Sequence, residues 1–191
     1  MKRVIDFLVG IIGLILLSPV FILISACILI DDGRPVFFKQ DRVGKDNKIF
    51  KIYKFRTMKK GTGDFATRKL RDKRRKITSF GSLLRKTSLD ELPQLFNLIN
   101  GTMSLVGPRP LIPSEKQIRT LRAKNGIYKV MPGITGWAQV NGRDEVSIEE
   151  KVKLDKEYIE KKSLAFDLKI LFLTVKSVIK REGILDEDEK K

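Results

Sequence analysis

Residues 6–32, DFLVGIIGLILLSPVFILISACILIDD, decide how the rest of this chain is read. The stretch from Phe7 to Ile30 carries no charge, and at ~1.5 Å per helical residue it is long enough for a hydrocarbon core ~30 Å thick. It exceeds the roughly 7–15 residues of a signal-peptide core, and no small-residue cleavage site precedes Asp31-Asp32, so it reads as a retained anchor. The chain has 39 Lys+Arg against 23 Asp+Glu, a net charge of +16, nearly all of it beyond residue 30. Basic flanks stay on the cytoplasmic side, and both flanks of the apolar run have that claim. Pro19 has no N–H for the carbonyl of Ile15, and the Ser18 hydroxyl can bond back to Leu14, so Ser18-Pro19 is a candidate break halfway along. Two arms of ~17 Å would then enter one leaflet and return. Proline kinks also occur in crossing helices, so the residues alone leave both readings open.

Beyond the anchor about 160 residues remain, enough for one globular domain. The single cysteine, Cys27, rules out an intrachain disulfide and a cysteine-based zinc site. There is no histidine, which removes histidine triads, histidine bases and histidine metal sites. No Walker-type or G-x-G-x-x-G glycine run occurs. Any catalysis must use carboxylates, lysines, arginines, hydroxyls or a metal.

Alternation in RPVFFKQDRVG and KIFKIYKFRTM around KDN predicts two strands and a turn. The basic stretch from Lys59 to Lys76 has no apolar period and reads as a loop, a short helix or a solvated charge run. FGSLLRKTSLDELPQLFNLING predicts an amphipathic helix stopped by Asn100-Gly101. SEKQIRTLRAKNG predicts a helix with Ser114 as its cap, and SIEEKVKLDKEYIEKK one opened by a capping box, Ser147 to Glu150. In SLAFDLKILFLTVKSVIKR, Leu164, Leu168, Leu171, Val175 and Val178 form an apolar stripe, with Lys169, Lys176 and Lys180 elsewhere. Such a helix fits a membrane interface or the domain core equally well.

Asp90-Glu91 is the most suggestive acidic pair. Paired carboxylates can hold Mg2+, and a carboxylate can attack phosphorus; a capping box, Ser88 to Glu91, explains the same residues without chemistry. Arg109, between two prolines in SLVGPRPL, is mounted on a rigid turn and suited to phosphate oxygens. MPGITGWAQVNGR places Gln139, Asn141 and Arg143 in a glycine-rich stretch where a polar ligand can approach backbone. Lys54 and Arg56 in YKFRTM are phosphate contacts or a strand's solvated face.

Five blocks in order, KRVIDFLVGIIGLILLSPVF, QDRVGKDNKIFKIYKFRTM, LRKTSLDELPQLFNLINGTMSLVGPRPL, PGITGWAQVNGR and FDLKIL, resemble those of the bacterial sugar transferases, small monotopic polyprenol-phosphate phosphoglycosyl transferases. The resemblance runs from about residue 2 to 181. It implies an enzyme of the cytoplasmic face of the bacterial inner membrane that transfers a sugar 1-phosphate from a UDP-sugar to polyprenol phosphate and releases UMP. It also implies that Asp90 is the nucleophile, that Glu91 completes the dyad and that Mg2+ lies beside them. Arg109 and Arg85 would contact the donor's phosphates or the active site, and Ser18 and Pro19 would break the membrane helix.

The expected architecture is therefore α+β: a re-entrant helix-break-helix anchor (1–32), a mostly helical catalytic domain with a short β-hairpin and interfacial amphipathic helices (33–183), and a charged tail (184–191). The chain starts almost at the membrane block, as a minimal catalytic form would. The competing class is a non-enzymatic basic scaffold on anionic lipid, which would not need Asp90, Glu91 or Arg109. Nucleic acid is not an expected partner, because no recognised binding motif accompanies the charge. Neither the sugar nor the oligomeric state can be read from the residues.

Overall fold

The computed structural model describes residues 2–62, 76–142 and 146–180, without the side chains of 178–180. Most of the basic stretch from Lys59 to Lys76, Arg143 and the tail expected from residue 184 lie outside the described residues. The chain forms two compact units. Residues 3–42 and 51–101 make the first, and residues 43–50 and 102–191, with Lys2, make the second.

The first unit is built along α1, Lys2–Asp32, a single continuous helix with Pro19 inside it. Among the described residues it is the one helix long and apolar enough to cross a membrane, and only 11% of its most apolar stretch is buried. A core helix of a soluble protein would be largely covered, so α1 presents its apolar surface to lipid. The expected break at Ser18-Pro19 is not found. Pro19 leaves the Ile15 carbonyl without its helical donor, and the Ser18 hydroxyl donates to that same oxygen at 2.8 Å, one residue nearer than the Leu14 partner expected. The carbonyl is satisfied and the helix continues.

β1 (Phe37–Val43) and β2 (Ile49–Phe55) pair as expected. They are joined by a 3-10 turn, Lys45–Asn47, in which Asp46 and Asn47 both adopt positive φ, a conformation those short polar side chains tolerate. The single helix expected over residues 80–101 is three pieces: α2 (Ser79–Lys86), a 3-10 segment (Leu89–Gln94) and α3 (Leu95–Asn100). Ser88 at φ 57° and Pro93 interrupt it. Gly101, at φ +79°, ends α3 where the sequence places a stop.

This three-piece strip runs antiparallel to α1 along nearly its whole length. Asp31 accepts from the Phe80 N–H; Ile24 and Ile28 pack with Leu84 and Phe55; Phe21 meets Phe96 edge-on; and Arg3 donates to the Leu98 and Ile99 carbonyls, closing the end of α3. The helix packs closely at Gly10, where a Cβ would lie 2.8 Å from Ile99 Cγ1 and 3.3 Å from the Leu95 carbonyl oxygen.

In the second unit β3 (Ser104–Val106) pairs in parallel with β4 (Gly133–Thr135), Ser104 opposite Gly133 and Val106 opposite Thr135. Around them lie α4 (Lys116–Lys124), a short helix α5 (Trp137–Val140), α6 (Ile148–Lys161) and α7 (Leu164–Lys180). Ser147 caps α6 by accepting from the Glu150 N–H at 3.1 Å, as its sequence predicts. Ser114 does not cap α4: the helix starts after Glu115, whose carboxylate instead accepts from the Ile112 N–H. α7 packs on the domain core with Asp167 and Ile170 buried on one side, while Leu164, Leu168, Phe172 and Val175 stay exposed on the other.

Gly10→Val is expected to destabilise the protein in nanodiscs by about 1–3 kcal/mol, because the branched Cβ must push α1 away from α3. A melting curve checks this against Ile15→Val, which lies on exposed helix surface and is expected to leave Tm unchanged within about 1 °C.

Candidate active site

The acidic pair sits where three elements of the first unit converge. Thr78 caps α2 by accepting from the Gly81 N–H at 2.9 Å, while its own N–H donates to the Thr57 carbonyl. α2 is pressed so closely on that backbone that a Cβ on Gly81 would lie 2.3 Å from the Thr57 carbonyl oxygen. At the other end of α2, Arg85 Nε donates to the Thr57 hydroxyl at 2.8 Å. The chain then turns through left-handed Ser88 into the 3-10 segment that carries Asp90 and Glu91. Ser88 makes no side-chain cap, so the capping box that could have explained the two acids does not form.

The acids face β2 instead. Lys54 Nζ lies 2.5 Å from Glu91 Oε1 and 3.6 Å from Asp90 Oδ2. The spacing is fixed by Asn97 on α3, fully buried, which accepts from the Tyr53 N–H at 3.1 Å and donates to the Lys51 carbonyl at 2.8 Å. Its amide thus substitutes for a neighbouring strand along β2 and ties the segment following the dyad to the strand that carries Lys54.

Burial pushes the Asp90 carboxyl above the usual carboxylate range. Lys54 opposes this, the neighbouring Glu91 charge adds to it, and Arg85 opposes it more weakly. Burial lowers the Arg85 guanidinium from its ordinary value, and Asp90 holds it up. The result is a sheltered carboxylate flanked by two cations, which suits attack on an anionic phosphorus centre: the cations offset the repulsion between like charges as the groups approach.

Of the residues singled out in the sequence, the fold brings Lys54, Arg85, Asp90 and Glu91 together. Arg56 is turned to the end of α1, where its Nη2 donates to the Asp32 and Gly33 carbonyls at 3.0 and 2.6 Å and lies 3.1 Å from the Asp32 carboxylate. Arg109, Gln139 and Asn141 belong to the second unit. Arg109 is exposed between buried Pro108 and Pro110. Gln139 donates to the Ile134 carbonyl at 3.1 Å and Asn141 to the Trp137 carbonyl at 2.8 Å. Thr57 and Asn97 escaped the sequence reading. The signal for Asn97 was a lone amide inside LFNLIN; Thr57 gave none.

Among the described residues no group of three acidic, histidine or cysteine side chains could hold a metal. Two adjacent carboxylates still fit Mg2+, which commonly takes one or two protein carboxylates and completes its shell with substrate phosphates and water.

The family described as bacterial sugar transferase matches residues 1–181. The chain is 45% identical to the uncharacterized sugar transferase EpsL of Bacillus subtilis, over 96% of this chain and 90% of that one. It is 42% identical to the UDP-glucose:undecaprenyl-phosphate glucose-1-phosphate transferase of Escherichia coli, over 92% of this chain and 39% of the relative. To the undecaprenyl-phosphate galactose phosphotransferase of Salmonella typhimurium it is 37% identical, over 96% of this chain and 41% of the relative. It thus spans nearly all of EpsL and about two-fifths of each of the other two. With a family match over almost its whole length and a site of carboxylates and cations in place of histidines, this chain belongs to the bacterial sugar transferases.

Proposed function

We propose that this chain transfers a sugar 1-phosphate from a UDP-sugar to undecaprenyl phosphate in two steps, with Asp90 as the nucleophile. The observation that carries the assignment is the burial of Asp90 between Lys54 and Arg85, in a chain whose relatives are named for this reaction. In the first step an Asp90 carboxylate oxygen attacks the phosphorus bearing the sugar. The bond from that phosphorus to the bridging oxygen breaks, and UMP leaves with the electron pair. In the second, an oxygen of the polyprenol phosphate attacks the same phosphorus and the bond to Asp90 breaks, restoring the carboxylate and giving a polyprenol diphosphate sugar. No proton has to be removed from either nucleophile when both are ionised, which is why a site without histidine suffices.

Lys54 and Arg85 offset charge on the phosphoryl oxygens, and Lys54 also keeps more of Asp90 ionised by opposing the effect of burial. Arg109, Gln139, Asn141 and Arg143 are assigned to the donor, Arg109 to its phosphates. Arg56 serves by holding the end of α1 rather than by touching substrate. Bound at Asp90 and Glu91, Mg2+ would supply further neutralisation of phosphate charge.

We further propose that α1 enters the cytoplasmic leaflet without crossing it, Ser18-Pro19 allowing the bend that a return requires. Its antiparallel partner strip supports this. The part of that strip with Arg85, Lys86, Asp90 and Glu91 packs on the second half of α1, which a crossing helix would carry through hydrocarbon, at several kcal/mol per charge, and a returning one brings back to the headgroups. Both basic flanks then stay on one side. The exposed stripe of α7 would rest at headgroup height, where a lipid phosphate meets a soluble nucleotide sugar.

Three outcomes are expected in nanodiscs with Mg2+ and undecaprenyl phosphate. First, a UDP-sugar panel including UDP-glucose and UDP-galactose should yield UMP from at least one donor, and Asp90→Asn should lower the rate by about three orders of magnitude or more. Release that survives Asp90→Asn would refute the assignment. Second, Lys54→Met should move the acid limb of kcat/KM for the donor to higher pH than in the parent, since Lys54 favours the charged form of Asp90. Third, melting curves recorded with Mg2+ removed should show Asp90→Asn to be more stable than the parent by a few degrees near neutral pH. A carboxyl whose pKa is raised by folding contributes stability that is full below its unfolded value and is lost as pH rises through the folded one. Near neutrality, charged Asp90 therefore costs stability that asparagine does not.

A further inference from the structure

Arg109 is exposed, yet the backbone beneath it is held at three neighbouring carbonyls of the second unit. The Pro108 carbonyl accepts from the Gly133 N–H at 3.0 Å and the Leu111 carbonyl from the Val43 N–H at 2.8 Å. Between them, the Arg109 carbonyl accepts from Arg122 Nη1 at 2.6 Å. Glycine is required at the neighbouring contact, where a Cβ on Gly133 would lie 2.1 Å from the Gly107 nitrogen.

Arg122 comes from α4, and its other terminal nitrogen, Nη2, lies 2.6 Å from Asp155 Oδ2 on α6. The two side chains are only 4% and 2% exposed. A pair this deeply buried does little for net stability compared with well-packed apolar residues, because both charges have left water. What this one provides is geometric. The planar fork of a single guanidinium spans a carboxylate on one helix and a main-chain oxygen of the Pro-Arg-Pro turn, a reach that a lysine ammonium does not reproduce.

We propose that the buried Arg122–Asp155 pair is a positioning device for Arg109, fixing the direction in which its exposed guanidinium meets the phosphates of the donor. The inference rests on the assignment of Arg109 to those phosphates. Neither Arg122 nor Asp155 touches substrate; each acts through the turn. A loosened turn leaves Arg109 present but with more conformations to lose on binding, so the loss falls on donor affinity rather than on the nucleophile.

Arg122→Lys separates positioning from folding, because the ammonium can keep the charge beside Asp155 while giving up the Arg109 carbonyl. Full-length protein in nanodiscs would be tested for its Kd for UDP with Mg2+ by calorimetry, since UDP carries the uridine and both phosphates of every candidate donor. KM and kcat would be measured with the donor identified by the UMP panel. Arg122→Lys is expected to weaken UDP binding and raise donor KM by about tenfold, with kcat and the KM for undecaprenyl phosphate within about twofold and Tm little changed. Added to Arg109→Ala, it should have less than about a twofold further effect, because the residue it positions is gone. Should Arg122→Lys fail to fold, the charge-free pair Arg122→Gln with Asp155→Leu takes its place, with the same rise in KM expected. An equal effect in the presence and absence of Arg109, or no change in Kd where Arg109→Ala weakens it, would overturn the positioning role alone. If Arg109→Ala itself left Kd and KM unchanged, the donor assignment of Arg109 would fall and the proposal with it.

Discussion

The contact between α1 and the strip from Ser79 to Gly101 is the constraint from which the rest of the first unit follows. An apolar helix of 31 residues would by itself be content anywhere in a bilayer. Here it is bound at Arg3, at Gly10, at Phe21 and at Asp31 to one antiparallel strip, and that strip carries Arg85, Asp90 and Glu91. The depth of the dyad is thereby tied to the depth of the helix. Arg56, bonded to the carbonyls of Asp32, the last residue of α1, and of Gly33 just after it, adds the strand of Lys54 to the same body. In an enzyme of the inner membrane's cytoplasmic face whose family joins a soluble donor to a lipid acceptor, such coupling would set where Asp90, the nucleophile we propose, meets the lipid phosphate.

Within that frame the chemistry depends on opposing effects at one carboxyl. In the role proposed for it, Asp90 would be protonated and inert if burial acted alone, whereas full exposure would surround it with water that competes for the proposed intermediate. Lys54 and Arg85 keep the buried group usable, and Thr57 and Asn97 hold those cations and the dyad in place through hydrogen bonds of 2.8–3.1 Å. For the nucleophile we propose, stability lost on charging is the expected counterpart of keeping a reactive group out of water.

Much of this was legible in the sequence because it rests on local pattern. The apolar run, the KDN turn with its two strands, the Gly101 stop and the Ser147 cap each follow from a few neighbouring residues. Where the reading failed, a distant partner or a local alternative decided. The amphipathic period runs unbroken through Thr87 and Ser88, yet the left-handed Ser88 divides the helix and turns the two acids toward β2. Lys54 and Arg56 look equivalent two positions apart, but β2 ends at Phe55, so the alternation that would keep them on one face no longer holds. At Ser18-Pro19 the residues expected to break α1 satisfy its one orphaned carbonyl. α4 begins one residue beyond Ser114, with Glu115 at the cap position and no side-chain cap, and the Arg122–Asp155 pair joins residues more than thirty apart, which no local pattern can reveal.

A sugar phosphate that passes through Asp90 must be bonded to it for a time. The most direct test is mass spectrometry of the protein after brief incubation with the active UDP-sugar and Mg2+ in the absence of polyprenol phosphate, followed by acid quench and peptide mapping. A sugar phosphate adduct on Asp90 is expected, formed with stoichiometric release of UMP and discharged when polyprenol phosphate is added before the quench. UMP appearing only when the lipid phosphate is present, with no adduct at any time, would contradict it and point to direct transfer between the two substrates.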